Sequence, residues 1–359
     1  MATGPLILTP RLDPKPWGGR RLAEFGFDLP PDELVGEAVI TAPEAIIGNG
    51  PHAGRTLGQI VHDDPAAALG ERGLAATGNR PLFPLLVKLI DANEDLSIQV
   101  HPTDEDARAE HSLGKTEAWH VLDAAPGGAL YLGLRPDASM DELEEFARAG
   151  KRTGGLLRRL EAKPHATVLI PAGTIHALGA GVLVYEIQQP SAITYRLDDW
   201  GRVDAAGKSR NLHIDQSVRV ANADYRPEFI APVELHRASG RAQLLTACRY
   251  FALERIALAA GESLTLPTNG SAQVFTCLQG GLTLSADGME ATMAAGQTAA
   301  LLAASLSAMI QATSPMVTLR AWVPDLAAEI VQPARASGAG DDAIGHLGGP
   351  LADVRVALR

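Results

Sequence analysis

An all-β fold in two units is what this sequence predicts, on three observations. Residues 81–235 are dominated by short runs with period-2 patterning, punctuated by Gly and Pro. A second β-rich stretch from about Leu244 to Trp322 repeats that texture, with turns at Gly280–Gly281 and Asp287–Gly288. Only one long stretch, from Ser139 to Leu160, has the composition of a helix. Short, evenly spaced strands point to a sandwich or barrel, not to a parallel sheet with crossover helices.

The elements follow in order. In the first unit, strands are expected at Pro84–Ile90, Leu96–His101, Thr116–Leu122, Thr167–Ile170 and Val182–Gln188. Thr56–Ile60 and Asp104–His111 read as short helices. The stretch from Ser139 to Leu160 starts acidic and ends basic, which complements a helix dipole, and it divides near Gly154–Gly155. In the second unit, strands are expected at Phe251–Ala257, Ser263–Pro267, Gln273–Leu278, Gly281–Ser285 and Met316–Ala321, in a jelly-roll order. The polar, glycine-rich segment after Pro324 reads as a flexible tail whose removal leaves activity intact. The expected divisions are therefore residues 1–240, 241–325 and 326–359.

Bulk properties narrow the function. A chain of 359 residues, 46% apolar and 20% charged, is long enough for two ordinary cores. A net charge of −11 argues against a nucleic-acid partner, yet leaves room for a few local cations around a small phosphorylated substrate. Two cysteines, Cys248 and Cys277, make no disulfide framework and fit a reducing compartment. The N-terminus lacks the features of a signal peptide, and the alanine-rich stretch from Thr298 to Ile310 is too short to span a bilayer. A cytoplasmic protein without membrane contact is expected, a monomer or small homo-oligomer.

The chemistry concentrates in four motifs. In Leu96–Pro102, alternation puts Gln99 and His101 on one face, a pleat repeat apart, as a pair suited to one metal ion. Gly114–His120 follows a glycine turn and offers Glu117, with Lys115 on the same face. In Pro171–His176 a Pro/Gly turn ends a strand and presents His176. Gln99, His101, Glu117 and His176 together make a two-nitrogen, two-oxygen set that suits catalytic zinc, with Mn²⁺, Fe²⁺, Co²⁺ or Ni²⁺ as alternatives. No pair among them is specific by itself. In Val184–Trp200, Glu186 and Arg196 are charges in an apolar context, read equally well as a structural pair or as site residues. His120 falls on the face opposite Glu117 and reads as core or surface. His111 reads as the outer face of a short helix, and His213 is not directed at a metal by alternation. His52, His62, His165, His236 and His346 read as surface residues.

Taken in order, these motifs resemble the type I phosphomannose isomerases of the short bacterial kind. The resemblance runs from Lys15–Gly19 through Pro84–Lys88, Leu96–Pro102, Gly114–Trp119, Pro171–Ala177 and Glu186–Arg196 to Arg210–Ile214. It implies two cupin barrels, with zinc in the first held by Gln99, His101, Glu117 and His176, and none in the second. The stretch at residues 139–160 would be a small helical insertion. It further implies that Arg196 is the active-site arginine, that Lys115 and Glu186 share its pocket, and that Lys88 and Trp17 line the substrate. The implied reaction interconverts mannose 6-phosphate and fructose 6-phosphate through a cis-enediol. Glu186, Lys115 and a metal-bound water all remain open as the base. One departure is visible at Gly36–Ile40, where the family usually carries a tryptophan soon after Gly-Glu. Two rival functions stand beside this one. A cupin oxygenase would resemble a site of three histidines and a glutamate holding iron, whereas Gln99 takes the first position here. A sugar-binding bicupin would bind a hexose phosphate without moving the proton on carbon 2.

Overall fold

Alternating burial along a single strand explains how the sheets stack. In the strand Val182–Gln188, Val182 and Val184 pack with Trp119, Ile90 and Leu130. The intervening Leu183, Tyr185 and Ile187 face the opposite way, into a core shared with Phe275, Leu244 and Ala299. A strand buried on both faces must lie in the middle of a layered structure.

The computed structural model describes residues 4–203 and 206–359. Among them, antiparallel sheets of eight, seven, five and four strands carry the fold. The seven-stranded sheet runs, in order, Phe229–Ile230, Thr167–Ile170, Glu117–Ala124, Val182–Gln188, Leu86–Ala92, Val35–Val39 and Arg11–Gly19. The five-stranded sheet runs Tyr195–Asp198, Ile98–Val100, His176–Leu178, Ala129–Leu134 and Leu157–Glu161. Side chains from both sheets, including Trp119, Val121, Leu130 and Leu178, make one apolar cluster, so the two pack face to face.

The expected β-class holds, and the strands Thr167–Ile170, Val182–Gln188 and Ser263–Pro267 have the expected bounds. Three differences have physical causes. The eight-stranded sheet is not built from residues 241–325 alone. Leu6–Thr9 pairs with Thr298–Leu301, Ile46–Ile47 pairs with Leu6–Thr9, and Val233–Leu235 adds the other edge. The stretch after Ser139 is helical only at Met140–Arg148, capped by Ser139 accepting from the Glu142 N–H, and at the single turn Gly154–Leu156. Leu157–Glu161 is instead an edge strand against Ala129–Leu134, its Leu157 buried. An edge strand tolerates the charges that had suggested a helix end.

The segment read as a flexible tail is packed. Ile330, Val331, Ala334, Ile344, Leu347 and Val354 are 0–2% exposed. The Leu347 carbonyl accepts from the Ala247 N–H and the Thr246 hydroxyl, which ties the segment to the strand Arg241–Ala247. Composition rich in Gly and Ala hid an apolar residue every few positions. Among the described residues, no helix is long and apolar enough to cross a membrane.

Candidate metal centre

Three strand ends converge at one point. His176, first residue of its strand, lies directly across the ladder from Gln99. Glu117 opens the strand Glu117–Ala124 and pairs with Ile170 on one side and Gln188 on the other. His101 follows the strand Ile98–Val100 and is fixed by the Pro171–His176 turn, whose Gly173 N–H donates to the His101 carbonyl at 2.8 Å. Gly173 sits at φ +91°, a conformation that β-carbon-bearing residues rarely adopt. Donor atoms of His101, Glu117 and His176 all lie within 4.8 Å of one another.

The chemistry of these atoms suits a cation. His101 Nδ1 is 2.9 Å from the Ile193 carbonyl, and His176 Nδ1 is 2.8 Å from the Thr174 carbonyl. A carbonyl only accepts, so each Nδ1 carries the hydrogen and each Nε2 is left as a lone pair. Those lone pairs face Glu117: His101 Nε2 is 3.4 Å from Oε2, and His176 Nε2 is 3.2 Å from Oε1. Glu117 is 0% exposed and neither of its oxygens receives a hydrogen bond. Lys115, its Nζ 3.1 Å from Oε2, partners this buried anion on one side. Burial opposes the Glu117 charge, but the Lys115 ammonium holds the carboxyl well below the usual range. Burial, helped by Lys115, presses the His101 imidazole down to about 3, so it is neutral and able to ligate at neutral pH. The Gln99 amide reaches 3.3 Å from His176 Nε2 and completes the ring of donors, since an amide flip presents its oxygen. These residues fit a divalent ion with mixed nitrogen and oxygen ligands.

Beside this cluster opens a cavity of about 700 Å³. Gln99 and Lys115 line it, together with Trp17, Lys88, Glu186 and Arg196, so every site residue expected outside the buried triad reaches one space. Lys115 Nζ is 3.0 Å from His101 Nε2 and 3.1 Å from Glu117 Oε2. Glu186 lies in register with both Lys88 and Trp119. Its Oε2 accepts from the Trp119 indole at 2.9 Å, while Oε1, 3.2 Å from Lys88 Nζ, receives no hydrogen bond. Burial works against the Lys88 charge, yet Glu186, Glu37 and Glu117 raise its pKa above the ordinary lysine value. Lys88 is therefore a fixed ammonium.

Arg196 is half-buried, and its Nη1 donates to the Asn211 carbonyl. Sequence reasoning gave His213 no role, but its Nδ1 accepts from the Arg196 N–H and its ring lines the cavity. Arg11, Asp13, Lys15, Glu37 and Arg210 also line it. The signal for the first three was there, in the alternation of the strand Arg11–Gly19. His120 is buried as a core residue, its Nδ1 2.9 Å from Thr167 Oγ1. The cavity wall carries Arg11, Lys15, Lys88, Lys115, Arg196 and Arg210 against Asp13, Glu37, Glu44 and Glu186. A chain of net charge −11 thus keeps a cavity with surplus positive charge.

This chain is similar to known proteins along most of its length. The description "phosphomannose isomerase type I, catalytic domain" matches residues 6–120. Mannose-6-phosphate isomerase ManA of Bacillus subtilis (strain 168) is 34% identical over 270 residues, 74% of this chain and 82% of that protein. The crystal structure of the mannose 6-phosphate isomerase from Bacillus subtilis superposes with a TM-score of 0.78 at 30% identity, covering 89% of this chain and 99% of that one. A zinc-bound mannose 6-phosphate isomerase superposes with a TM-score of 0.70 over 90% of this chain and 100% of its own, and at 16% identity that likeness speaks for the fold. Extent and identity together make this chain a member of the type I phosphomannose isomerase family.

Proposed function

We propose that this chain is a zinc-dependent isomerase of mannose 6-phosphate and fructose 6-phosphate, with Gln99, His101, Glu117 and His176 holding the ion. One observation carries the reading. Two imidazole lone pairs and a fully buried carboxylate meet beside a cavity whose wall has surplus positive charge. When bound, zinc supplies a positive charge that polarises the sugar's oxygens and stabilises negative charge developing there.

The chain's own side chains do the rest. Aldose–ketose exchange removes a proton from carbon 2 while the carbonyl oxygen at carbon 1 gains one; the enediol is then reprotonated at carbon 1 as the hydroxyl at carbon 2 gives up its proton and becomes the ketone. Glu186 is assigned the carbon proton, because it lines the same cavity as Gln99 and Lys115 and Trp119 fixes its Oε2. Lys88 cannot exchange that proton while its ammonium is locked between Glu186 and Glu37, so its part is to aim Glu186. Lys115 is the second candidate for proton transfer, reaching both the cavity and Glu117. Arg196 offers a planar fork to the phosphate or the enediolate. Trp17, buried in the wall, gives the sugar an apolar surface.

We further assign the seven- and five-stranded sheets to a metal-binding cupin barrel drawn mainly from residues 1–240. The eight- and four-stranded sheets are assigned to a second barrel, without ligands, drawn mainly from residues 241–325. A cytoplasmic monomer or small homo-oligomer acting on a free sugar phosphate fits this reading. The experiment is turnover of mannose 6-phosphate in deuterated water, followed by NMR. The reading expects fructose 6-phosphate carrying solvent deuterium at carbon 1. Oxygen uptake with an oxidised product would support the oxygenase instead, and binding without any product the sugar-binding bicupin.

A further inference from the structure

The catalytic segment Gly114–Glu117 is held from outside its own sheet. Its backbone is laced to the loop after His101: the Lys115 N–H donates to the Pro102 carbonyl at 3.0 Å, and the Gly114 N–H to Asp104 Oδ1 at 2.8 Å. The two chains touch so closely that a β-carbon on Gly114 would lie 2.5 Å from the Asp104 nitrogen. Asp104 Oδ1 also accepts from Gln189 Nε2 at 3.0 Å. Gln189 in turn brackets Thr116: its Oε1 accepts from the Thr116 N–H at 2.9 Å, and its own N–H donates to the Thr116 carbonyl at 3.1 Å. Thr116 separates Lys115 from Glu117, so this bracket sets where both side chains start.

The remaining oxygen of Asp104 belongs to the other half of the molecule. Tyr250 Oη donates to Asp104 Oδ2 at 2.6 Å across 146 residues of sequence. Tyr250 sits at the tip of the hairpin joining Arg241–Ala247 to Ala252–Leu258. Burial and Asp104 both raise its phenol pKa, so the proton stays on Tyr250. Next to it, the Arg249 guanidinium lies over the Tyr250 ring, 5.8 Å from its centre. Arg249 is anchored by Asp353 from the C-terminal segment, through its own N–H at 3.0 Å and Nη2 at 2.8 Å.

We propose that Tyr250 and Asp104 are positioning residues for the isomerase reaction. Through them the second unit and the C-terminal segment set the placement of Lys115 and Glu117. The inference rests on the reading of the site given above. It gives the unit without ligands a task in catalysis: its hairpin supplies the hydrogen bond that fixes Asp104 from the far side. A carboxylate free to turn would release Gly114 and Gln189 together, and misplacement of reacting groups by a fraction of an ångström lowers rate far more than affinity.

The test compares zinc-loaded wild type, Tyr250→Phe and Asp104→Asn, with kcat, KM, zinc content and melting temperature measured for each. Tyr250→Phe is expected to lower kcat about fivefold to twentyfold, with KM and zinc content unchanged. Asp104→Asn is expected to retain most of the rate, because its amide donates back to the Tyr250 oxygen. Combining Asp104→Asn with Tyr250→Phe should lower the rate further, since the new amide then has no partner. Amide hydrogen exchange of the 112–118 segment in the metal-free protein gives an activity-independent readout, and it should quicken in Tyr250→Phe. Unchanged kcat and unchanged exchange in Tyr250→Phe would overturn the inference. So would a loss of rate matched by lost zinc or lost folded protein. A wild type without turnover would instead fell the proposed function, and this inference with it.

Discussion

His176 stands directly opposite Gln99 in the strand ladder, and the Gln99 amide comes within 3.3 Å of His176 Nε2. Two neighbouring strands therefore bring one donor each to a single point, and Glu117 enters from the facing sheet. Because each Nδ1 is committed to a carbonyl, the ring orientations are fixed before any ion arrives.

That preorganisation predicts the effect of removing a ligand. His101→Ala and Glu117→Ala should each strip bound zinc and abolish turnover, whereas Arg196→Ala should keep the metal and lose rate. Metal analysis by mass spectrometry beside steady-state kinetics checks this. Full activity in a metal-free His101→Ala protein would remove His101 from the ligand set.

Lys88 and Glu186 form a pair with little access to water, so removing one partner strands the other. Lys88→Met should destabilise the fold by roughly 3 kcal/mol in urea unfolding. The double variant Lys88→Met/Glu186→Leu should recover only part of that loss: no buried Glu186 charge is left unpaired and Glu37 keeps Lys15, but the Trp119 indole loses its acceptor. Additive losses would show that the two do not act as a pair.

His120 predicts a pH dependence of stability. Burial, with His165 and Arg255 adding to it, holds its imidazole down to about 3, against about 6.5 in an unfolded chain. Between these values the unfolded state binds the extra proton. Stability is therefore complete above about pH 6.5 and declines as pH falls toward 3. The slope from this one group is at most about 1.4 kcal/mol per pH unit. Urea unfolding at pH 4 to 7 should give a flatter curve for His120→Gln than for wild type. Parallel curves would deny His120 this role.

Deleting residues 325–359 should cost stability, contrary to what the composition of that segment suggests. It would uncover the surface against which Ile330, Val331, Ile344, Leu347 and Val354 are buried, and free two hydrogen bonds to the Leu347 carbonyl. A fall in melting temperature on the order of 10 °C is expected. An unchanged melting temperature would mean that the segment contributes no net packing.

These contrasts mark what a sequence makes legible. Gln99 could be paired with His101, and Lys115 with Glu117, because a period of two assigns faces without knowledge of the partner strand. Their meeting with His176 and the shared cavity with Lys88, Glu186 and Arg196 follow from motifs read jointly. The pairing of Leu6–Thr9 with Thr298–Leu301 leaves no local trace, since nothing in either run specifies a partner nearly three hundred residues away. Alanine-rich segments give little contrast between faces. The helical stretch Pro65–Ala76, interrupted at Gly70, and the strands within Thr298–Ala312 went unrecognised for that reason. The hydrogen bond from Tyr250 to Asp104 is equally silent, because it depends on how two halves of the molecule pack.

The most direct measurement is an isomerase assay with mannose 6-phosphate on purified protein, before chelation, after chelation and after zinc add-back, with bound metal counted at each stage. The account predicts turnover with one zinc per chain, its loss on chelation and its return with the metal. Turnover that persists in fully metal-free protein would contradict it, as would a zinc-loaded protein that leaves mannose 6-phosphate untouched.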